Sequence, residues 1–249
     1  MIVSDRLRGS ITRGVGYFFP PVCVFCSAGV DVEADRAEGL PDIRICRHCL
    51  SSLPLRRTNR LSCLSNPYPD DPIPDFSVIS AFFYEDPIPS AILSLKFGDA
   101  TYFVRALSYF LSQAVRRDGA TFDCIIPVPL AAKRLRERGY NQAERIARDL
   151  SEDLSIPLVP SFLERTRETR QQSSVTANSK RAENVRGAFS VPADVSVSGL
   201  SILLVDDILT TGHTLHEAAL ALFRAGAGSV TGAAVSSGRL REQGGRALR

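Results

Sequence analysis

The sequence predicts an α/β fold, in which a mostly parallel twisted sheet carries helices on both faces, preceded by a small cysteine-containing module. Short apolar stretches with the length of buried strands alternate along the chain with longer stretches of helical periodicity. The strands are apolar on both faces, as expected for a parallel sheet covered on each side. Two Cys-x-x-Cys pairs near the N-terminus predict the separate module.

Length and composition allow this arrangement and exclude some classes of protein. A chain of 249 residues suffices for one large domain and a small module, and an apolar fraction of 44% can support a packed core. The net charge of +3 neither indicates nor excludes nucleic acid as a partner. No apolar run approaches the roughly 18 residues of a membrane span, and the N-terminus lacks a secretory signal. We therefore expect no membrane insertion, a cytoplasmic location and reduced thiols.

The cysteine pairs predict a structural Zn²⁺ site. Cys23 and Cys26 form one pair, Cys46 and Cys49 form the other, and nineteen residues separate the pairs. Four thiolates at this spacing can close a tetrahedron around zinc. The open alternatives are two disulfides, unpaired thiols, or His48 in place of one thiolate. A Pro- and Asp-rich stretch at 66–74 predicts a linker, so the module is expected at 1–75 and the domain at 76–249.

The elements of the domain follow in alternation. Strands are predicted at 78–84, 123–128, 158–163, 187–191, 202–205 and 229–235. Helices are predicted at 90–97, after a cap at Asp99, after Asn141, where Glu144 completes the spacing of a capping box, and after residue 212 with an end at Gly226. The polar stretch 164–186 has little periodicity.

The segment from 202 to 214 carries the strongest chemical indication. Four apolar residues are followed by Asp206 and Asp207, then by a Thr- and Gly-rich turn, then by a helix. Ligands of open α/β sheets bind at the carboxyl ends of strands, and the N–H groups of a helix start bind phosphate. Adjacent carboxylates suit vicinal hydroxyls and a divalent cation, so the segment predicts a sugar phosphate with Mg²⁺. The alternative is a solvated loop with two surface acids; a P-loop motif is absent.

This segment resembles the signature of type I phosphoribosyltransferases, which bind 5-phosphoribosyl-1-diphosphate (PRPP). The resemblance implies that Asp206 and Asp207 are the catalytic acids that hold the ribose hydroxyls and the metal. It also implies a turn that cradles the 5′-phosphate, made of Thr210, Thr211, Gly212, His213 and Thr214. His213 occupies a variable position of that motif and is expected to be incidental.

Four motifs in order extend the resemblance to the ComF family, predicted phosphoribosyltransferases with an N-terminal zinc module that are named from a competence protein. These motifs are the cysteine pairs, Ile126-Pro-Val-Pro129, Arg138-Gly-Tyr-Asn-Gln-Ala143, and Val205-Asp-Asp-Ile-Leu-Thr-Thr-Gly212. A looser match runs from Gln171-Gln172-Ser173 to Asn184-Val-Arg-Gly-Ala-Phe189.

The resemblance implies two further parts of a site. A pyrophosphate loop is expected at Val128, Pro129 and Leu130, with Arg134 and Arg138 nearby to neutralise the leaving group; a solvated face or a nucleic-acid contact is the alternative. A flexible loop that closes over the site is expected to carry Arg170, Gln171, Ser173 and Ser174, and a disordered connector is the alternative.

Two functions are consistent with these features. The first is a Mg²⁺-dependent phosphoribosyltransferase that joins PRPP to an unidentified acceptor. The second, implied by the family resemblance, is a non-catalytic PRPP- or nucleotide-binding accessory factor in DNA uptake, in which the zinc module docks a protein or single-stranded DNA. The tail after Val235 offers no aromatic side chain for stacking on a base, which favours the second function. The adjacent acids and the expected flexible loop favour the first, which we place ahead.

Overall fold

The computed structural model describes residues 21–32, 42–56, 60–61, 76–97, 101–167 and 185–238. The chain divides into two compact units between Leu53 and Pro54, earlier than the boundary predicted at 75/76. The reason is that the following segment joins the larger unit. The backbone N–H of Arg56 donates to the Ala81 carbonyl (2.9 Å), and strand β1 (Arg60–Leu61) pairs antiparallel with strand β2 (Ser77–Phe83).

The larger unit is built on a five-stranded sheet, in the order β1-β2-β7-β6-β3. Besides β1 and β2, its strands are β3 (Cys124–Pro127), β6 (Ser201–Leu209) and β7 (Ser229–Ser237). All pairings except that of β1 are parallel, because helical crossovers return the chain to the same end of the sheet. The mostly parallel sheet predicted from the sequence is confirmed.

Helix α1 (Arg47–Ser52) lies in the first unit. The second unit contains α2 (Ile88–Phe97), α3 (Thr101–Asp118), α4 (Ala132–Arg138), α5 (Gln142–Leu154) and α6 (His213–Arg224). Of these, α3 and α5 pack on one face of the sheet and α6 packs on the other. The β6 residues Ile202 and Leu204 pack in one core cluster with Leu215 and Leu222 of α6. The alternate residue Leu203 is fully buried on the opposite face, where α3 and α5 pack on the sheet and on each other.

Three elements differ from the predictions. The strand expected at 158–163 is a single bridge at Leu158 followed by a 3₁₀ turn at Pro160–Phe162, because Pro157 and Pro160 cannot donate to a ladder. Two short strands that were not predicted as a pair, β4 (Glu164–Arg165) and β5 (Phe189–Ser190), form a separate antiparallel sheet. The stretch 132–138, which had no assigned element, is helix α4.

The remaining boundaries agree within a few residues. Gly226 follows the α6 cap with a φ of +95°, as predicted for a C′ glycine. The predicted Asp99 cap lies outside the described residues, and α3 as described begins at Thr101. Within the described ranges, no helix combines the length and the hydropathy needed to cross a membrane.

Candidate functional site

The candidate site lies where β6 extends beyond the end of its neighbouring strand, β3. These two strands pair only as far as Pro127 and Val205, and the N–H of Val128 donates to the Val205 carbonyl (2.8 Å). On the other side, β7 accompanies β6 to the pair Leu209 and Ser237. Beyond Val205, therefore, β6 is paired along one edge only, and its other edge faces the loop that follows β3.

The two adjacent acids begin this stretch. The sequence predicts that the acids follow the strand, whereas Asp206 and Asp207 lie inside β6, because its pairing with β7 continues to Leu209. Both side chains are half-buried, and the Asp206 Oδ1 accepts a hydrogen bond from the Asp207 N–H (2.9 Å). Two carboxylates at the end of a parallel strand can accept hydrogen bonds from hydroxyls or bind a hard divalent cation.

A turn joins β6 to α6 and opens that helix. Gly212 is buried and has φ +79° and ψ −3°, a left-handed conformation that strains any residue with a β-carbon. Its carbonyl accepts from the His216 N–H (2.8 Å), so the helix is established within one turn. The remaining turn residues range from exposed to half-buried: Thr210, Thr211, His213 and Thr214.

This helix start has the electrostatic character of an anion site. In the described structure no side chain caps the N-terminus of α6, and its first turn contains no acid. The first N–H groups of a helix have no partner within it, and the helix dipole adds a partial positive charge there. Such an end is suited to binding phosphate.

The predicted pyrophosphate loop begins at Val128, directly after β3. The N–H of Val128 donates to the carbonyl of Val205, the residue before the two acids. Val128 is buried, whereas Pro129 and Leu130 are half-buried. Helix α4 follows directly and carries Arg134 and Arg138 one turn apart on one face, both half-buried. The intervening Arg136 is exposed on a different face of the helix.

One charged residue near these groups was not identified as a site residue from the sequence. Arg165, on β4, holds its guanidinium over the ring of Phe189 on β5, 5.2 Å from the ring centroid. Burial lowers the pKa of Arg165, the charge of Arg134 lowers it further, and Asp206 opposes both effects. Arg165 therefore lies within electrostatic reach of an acid and a cation of the candidate site. No local pattern indicates this, because β4 and β5 meet across a long intervening stretch.

Four of the predicted site residues have no structural description. Arg170, Gln171, Ser173 and Ser174, expected on a flexible loop, lie outside the described residues.

The four predicted zinc ligands form a cluster in the first unit. The Sγ atoms of Cys23, Cys26, Cys46 and Cys49 all lie within 4.8 Å of one another, and His48 is not part of this group. The Sγ atoms of Cys26 and Cys46 are 3.6 Å apart. A disulfide would hold its two sulfurs about 2 Å apart, whereas tetrahedral Zn–S bonds of about 2.3 Å place them about 3.8 Å apart. The cluster therefore has the dimensions of a metal site, and its cysteines are free thiols.

The charge balance in the cluster also suits a cation. Burial raises the pKa of Cys23, but the backbone N–H groups of Cys46, Cys26 and Phe25 outweigh it and bring the value to about 7. Burial and the three neighbouring sulfurs raise the pKa of Cys49. The close spacing of the four sulfurs therefore disfavours the ionisation of more than one thiol. A bound divalent cation would offset the repulsion between thiolates.

Comparison with known proteins gives consistent matches. The phosphoribosyl transferase domain family matches residues 104–244. The chain is 30% identical to competence protein F of Haemophilus influenzae over 211 residues, which are 80% of this chain and 90% of that protein. It is 33% identical to the DNA utilization protein YhgH of Escherichia coli O157:H7 over 173 residues, 68% of this chain and 73% of that protein. Among solved structures, a glutamine PRPP amidotransferase from B. subtilis, complexed with ADP and GMP, aligns with a TM-score of 0.40 and 18% identity. That alignment covers 58% of this chain and 30% of the amidotransferase.

Proposed function

The chain belongs to the ComF family of phosphoribosyl transferase domain proteins, and from this we propose that it binds PRPP with Mg²⁺ and transfers the phosphoribosyl group to an acceptor. In this reaction the bond between C1 of the ribose and a pyrophosphate oxygen breaks. A bond from C1 to a nucleophilic atom of the acceptor forms, and pyrophosphate leaves. The acceptor is a base or an amine that neither the sequence nor the fold identifies.

The proposal rests on how the two acids and the start of α6 are arranged at the C-terminal end of β6. Asp206 and Asp207 lie where β6 loses its β3 partner, and the uncapped start of α6 follows within a few residues. The acids would accept hydrogen bonds from the ribose hydroxyls and hold Mg²⁺, whose positive charge offsets charge on the diphosphate. The turn at 210–214 would bind the 5′-phosphate through backbone N–H groups.

Three arginines could provide positive charge where the leaving pyrophosphate would bind. Arg134 and Arg138 share one face of α4, and the charges of Arg134 and Asp206 both affect the pKa of Arg165. Negative charge builds on the pyrophosphate oxygens as the C1–O bond breaks, and preorganised cations stabilise that charge. Arginine suits this role because its planar fork can donate to two oxygens of one phosphate.

In the first unit we propose one structural Zn²⁺ held by Cys23, Cys26, Cys46 and Cys49. The proposal rests on the spacing of the four sulfurs and on their unbridged state. Bound zinc would hold the two cysteine pairs together, which sets the fold of this unit.

Calorimetric titration of the protein with PRPP and Mg²⁺ tests the main proposal. We expect saturable binding by the wild type, and binding weaker by about 100-fold or more for an Asp206→Asn/Asp207→Asn double variant, because it loses charged ligands at the ribose and the metal. Asp123→Asn is the control: it neutralises one carboxylate at the opposite end of the sheet, where Asp123 accepts from the Ser201 N–H (2.8 Å). Equal heats from the double variant and the wild type would refute the site assignment.

Catalysis is tested separately by pyrophosphate release across a panel of purine and pyrimidine bases and simple amines. Release that depends on one acceptor, on Mg²⁺ and on both acids would establish a phosphoribosyltransferase. Binding of PRPP without release across the panel would favour the second candidate.

That second candidate is a non-catalytic PRPP- or nucleotide-binding accessory factor in DNA uptake. The names of two relatives, a competence protein and a DNA utilization protein, favour it. In this case the zinc module would dock a protein or single-stranded DNA. Titration of a fluorescent single strand at several salt concentrations tests the DNA branch, because phosphate contacts give affinity that falls steeply with salt. The same titration after Cys46→Ser tests whether the module is needed.

A further inference from the structure

The turn between α4 and α5 holds the loop that follows β3. Asn141, the residue before α5, makes two hydrogen bonds in opposite directions. Its Oδ1 accepts from the Ala143 N–H (3.1 Å), which caps α5, and its Nδ2 donates to the carbonyl of Val128 (3.0 Å). One amide side chain thus joins the start of a helix to the first residue of the loop at 128–130.

The loop depends on this link because, among the described residues, few other hydrogen bonds hold its backbone. The N–H of Val128 makes the last bond to β6, and Pro129 has no N–H to donate. The Val128 carbonyl belongs to a buried residue, so it needs a hydrogen-bond partner within the protein. Asn141 supplies that partner.

The next residue in the turn holds an arginine in the same way. Gln142 is buried, its Oε1 accepts from the Arg138 Nη1 (3.2 Å), and its Nε2 donates to the carbonyl of Leu95 (3.2 Å). The hydroxyl of Tyr140 also donates to the Leu95 carbonyl. The turn is therefore anchored to the end of α2, and that anchor orients Arg138.

From these contacts we propose that Asn141 and Gln142 are positioning residues for the pyrophosphate end of the site. Asn141 fixes the backbone of the loop at 128–130, and Gln142 fixes the guanidinium of Arg138. The inference rests on the proposed function, because that function gives the loop and Arg138 a ligand to face.

Hydrogen exchange of the ligand-free protein tests the tether without any assumption about the ligand. The variants are Asn141→Ser and Asn141→Asp, since both residues are good helix caps but neither can donate as Asn141 does across to Val128. We expect exchange about fivefold faster at the amides of Val128, Leu130 and Ala131, which follows from losing one hydrogen bond of about 1 kcal/mol. Exchange within α5 and the midpoint of thermal unfolding should stay close to wild type. Unchanged exchange in the loop would overturn the proposal.

PRPP titration with Mg²⁺ then tests whether the tether serves binding. We expect Asn141→Ser to bind about fivefold to tenfold more weakly. Glu144→Ala is the matched control, because Glu144 lies in the same first turn but pairs with Arg148 (3.2 Å) rather than with the loop. A loosened loop with wild-type affinity would overturn the functional part of the proposal. A wild type that binds no PRPP would instead refute the proposed function, while the exchange result still decides whether Asn141 holds the loop.

Gln142→Met tests the proposed role of Gln142 separately from that of Asn141. It keeps the volume of the side chain but removes the bond to Arg138, so PRPP affinity should fall about fivefold while exchange in the loop at 128–130 stays at the wild-type rate. Wild-type affinity in this variant would exclude a positioning role for Gln142.

Discussion

The two units of this chain differ in what can hold them together. In the described part of the first unit, the buried apolar side chains other than cysteine are Ile43, Ile45 and Leu53. The largest fully buried side chains of the described chain all belong to the second unit, on its sheet and on α2, α3 and α5. The core of the described part of the first unit is too small to offset the entropy of folding by apolar burial alone, whereas the second unit has a large core. We therefore expect the cysteine cluster to stabilise the first unit.

Removal of the metal should unfold the first unit and leave the second unit folded. We expect this change to have the largest effect on stability. Chelation, or Cys46→Ser, should unfold it, because metal binding in small zinc modules supplies the folding free energy, about 10 kcal/mol or more. We expect about one zinc per chain before treatment and none after, by elemental analysis, and loss of protease resistance confined to residues before 54. Cys124→Ala is the control, since this buried thiol lies in β3 and outside the cluster. A Cys46→Ser variant that keeps stoichiometric zinc would contradict the cluster assignment.

A core deletion should do the reverse. Phe82 is fully buried in β2 and meets the ring of Phe110 edge to face, with centroids 5.3 Å apart. Phe82→Ala should destabilise the second unit by about 3–5 kcal/mol, through lost burial and a cavity. Urea denaturation should show the loss, while the zinc content stays at the wild-type value. A concurrent loss of zinc would mean that the two units do not fold independently.

A half-buried aspartate should make the second unit less stable as pH rises. Burial raises the pKa of Asp149 to about 6; Arg105 opposes this shift, and Glu152 and Asp153 add to it. Because the folded pKa exceeds the unfolded one, near 4, the folded state binds the proton more tightly. Stability should therefore fall as pH rises from about 4 through about 6.

Asp149→Asn should remove that fall and stabilise the protein above pH 6 by up to about 1 kcal/mol, allowing for solvent screening of a partly exposed group. Urea denaturation at pH 4.5 and pH 7.5 measures it. Glu137→Gln, which neutralises an exposed acid on α4, should leave the pH dependence as it is. An unchanged profile in Asp149→Asn would exclude this residue as its source.

The smallest effect is expected at the ion pair between β1 and α3. Both oxygens of Asp118 accept from the Arg60 guanidinium (2.8 and 2.6 Å), which lowers the pKa of Asp118. A lowered pKa gives stability that is present above the unfolded pKa near 4 and is lost as pH falls through the folded value. Asp118→Asn should cost about 0.5–1 kcal/mol at pH 7, since the arginine is partly solvated. The pH dependence removed should be opposite in sign to that of Asp149 and should lie below about pH 4, as measured by denaturation at about pH 3 and about pH 5.5.

Local pattern was enough to predict much of this molecule. Strand and helix periods were sufficient for the parallel sheet, and the order of acids, glycine turn and helix was sufficient to predict a strand, a turn and a helix there, but it ended the strand at 205 rather than at Leu209. The stretch 158–163 was interpreted wrongly because its apolar residues suggested a strand, while two prolines removed the donors that a strand needs. The Asn141–Glu144 spacing suggested a reciprocal capping box, but the Asn141 side chain accepts from Ala143 and Glu144 pairs with Arg148.

The sequence by itself determined most of the strands and helices, the cysteine pairs and the Thr- and Gly-rich turn before α6, because each depends on residues within a few positions of one another. Only the tertiary structure decided the strand order β2-β7-β6-β3, the extension of β6 past Val205, and the influence of the Asp206 charge on the pKa of Arg165. It also decided that Asn141 reaches back to Val128. These contacts join segments far apart in the chain, and their free energy depends on how the whole sheet packs rather than on any local preference.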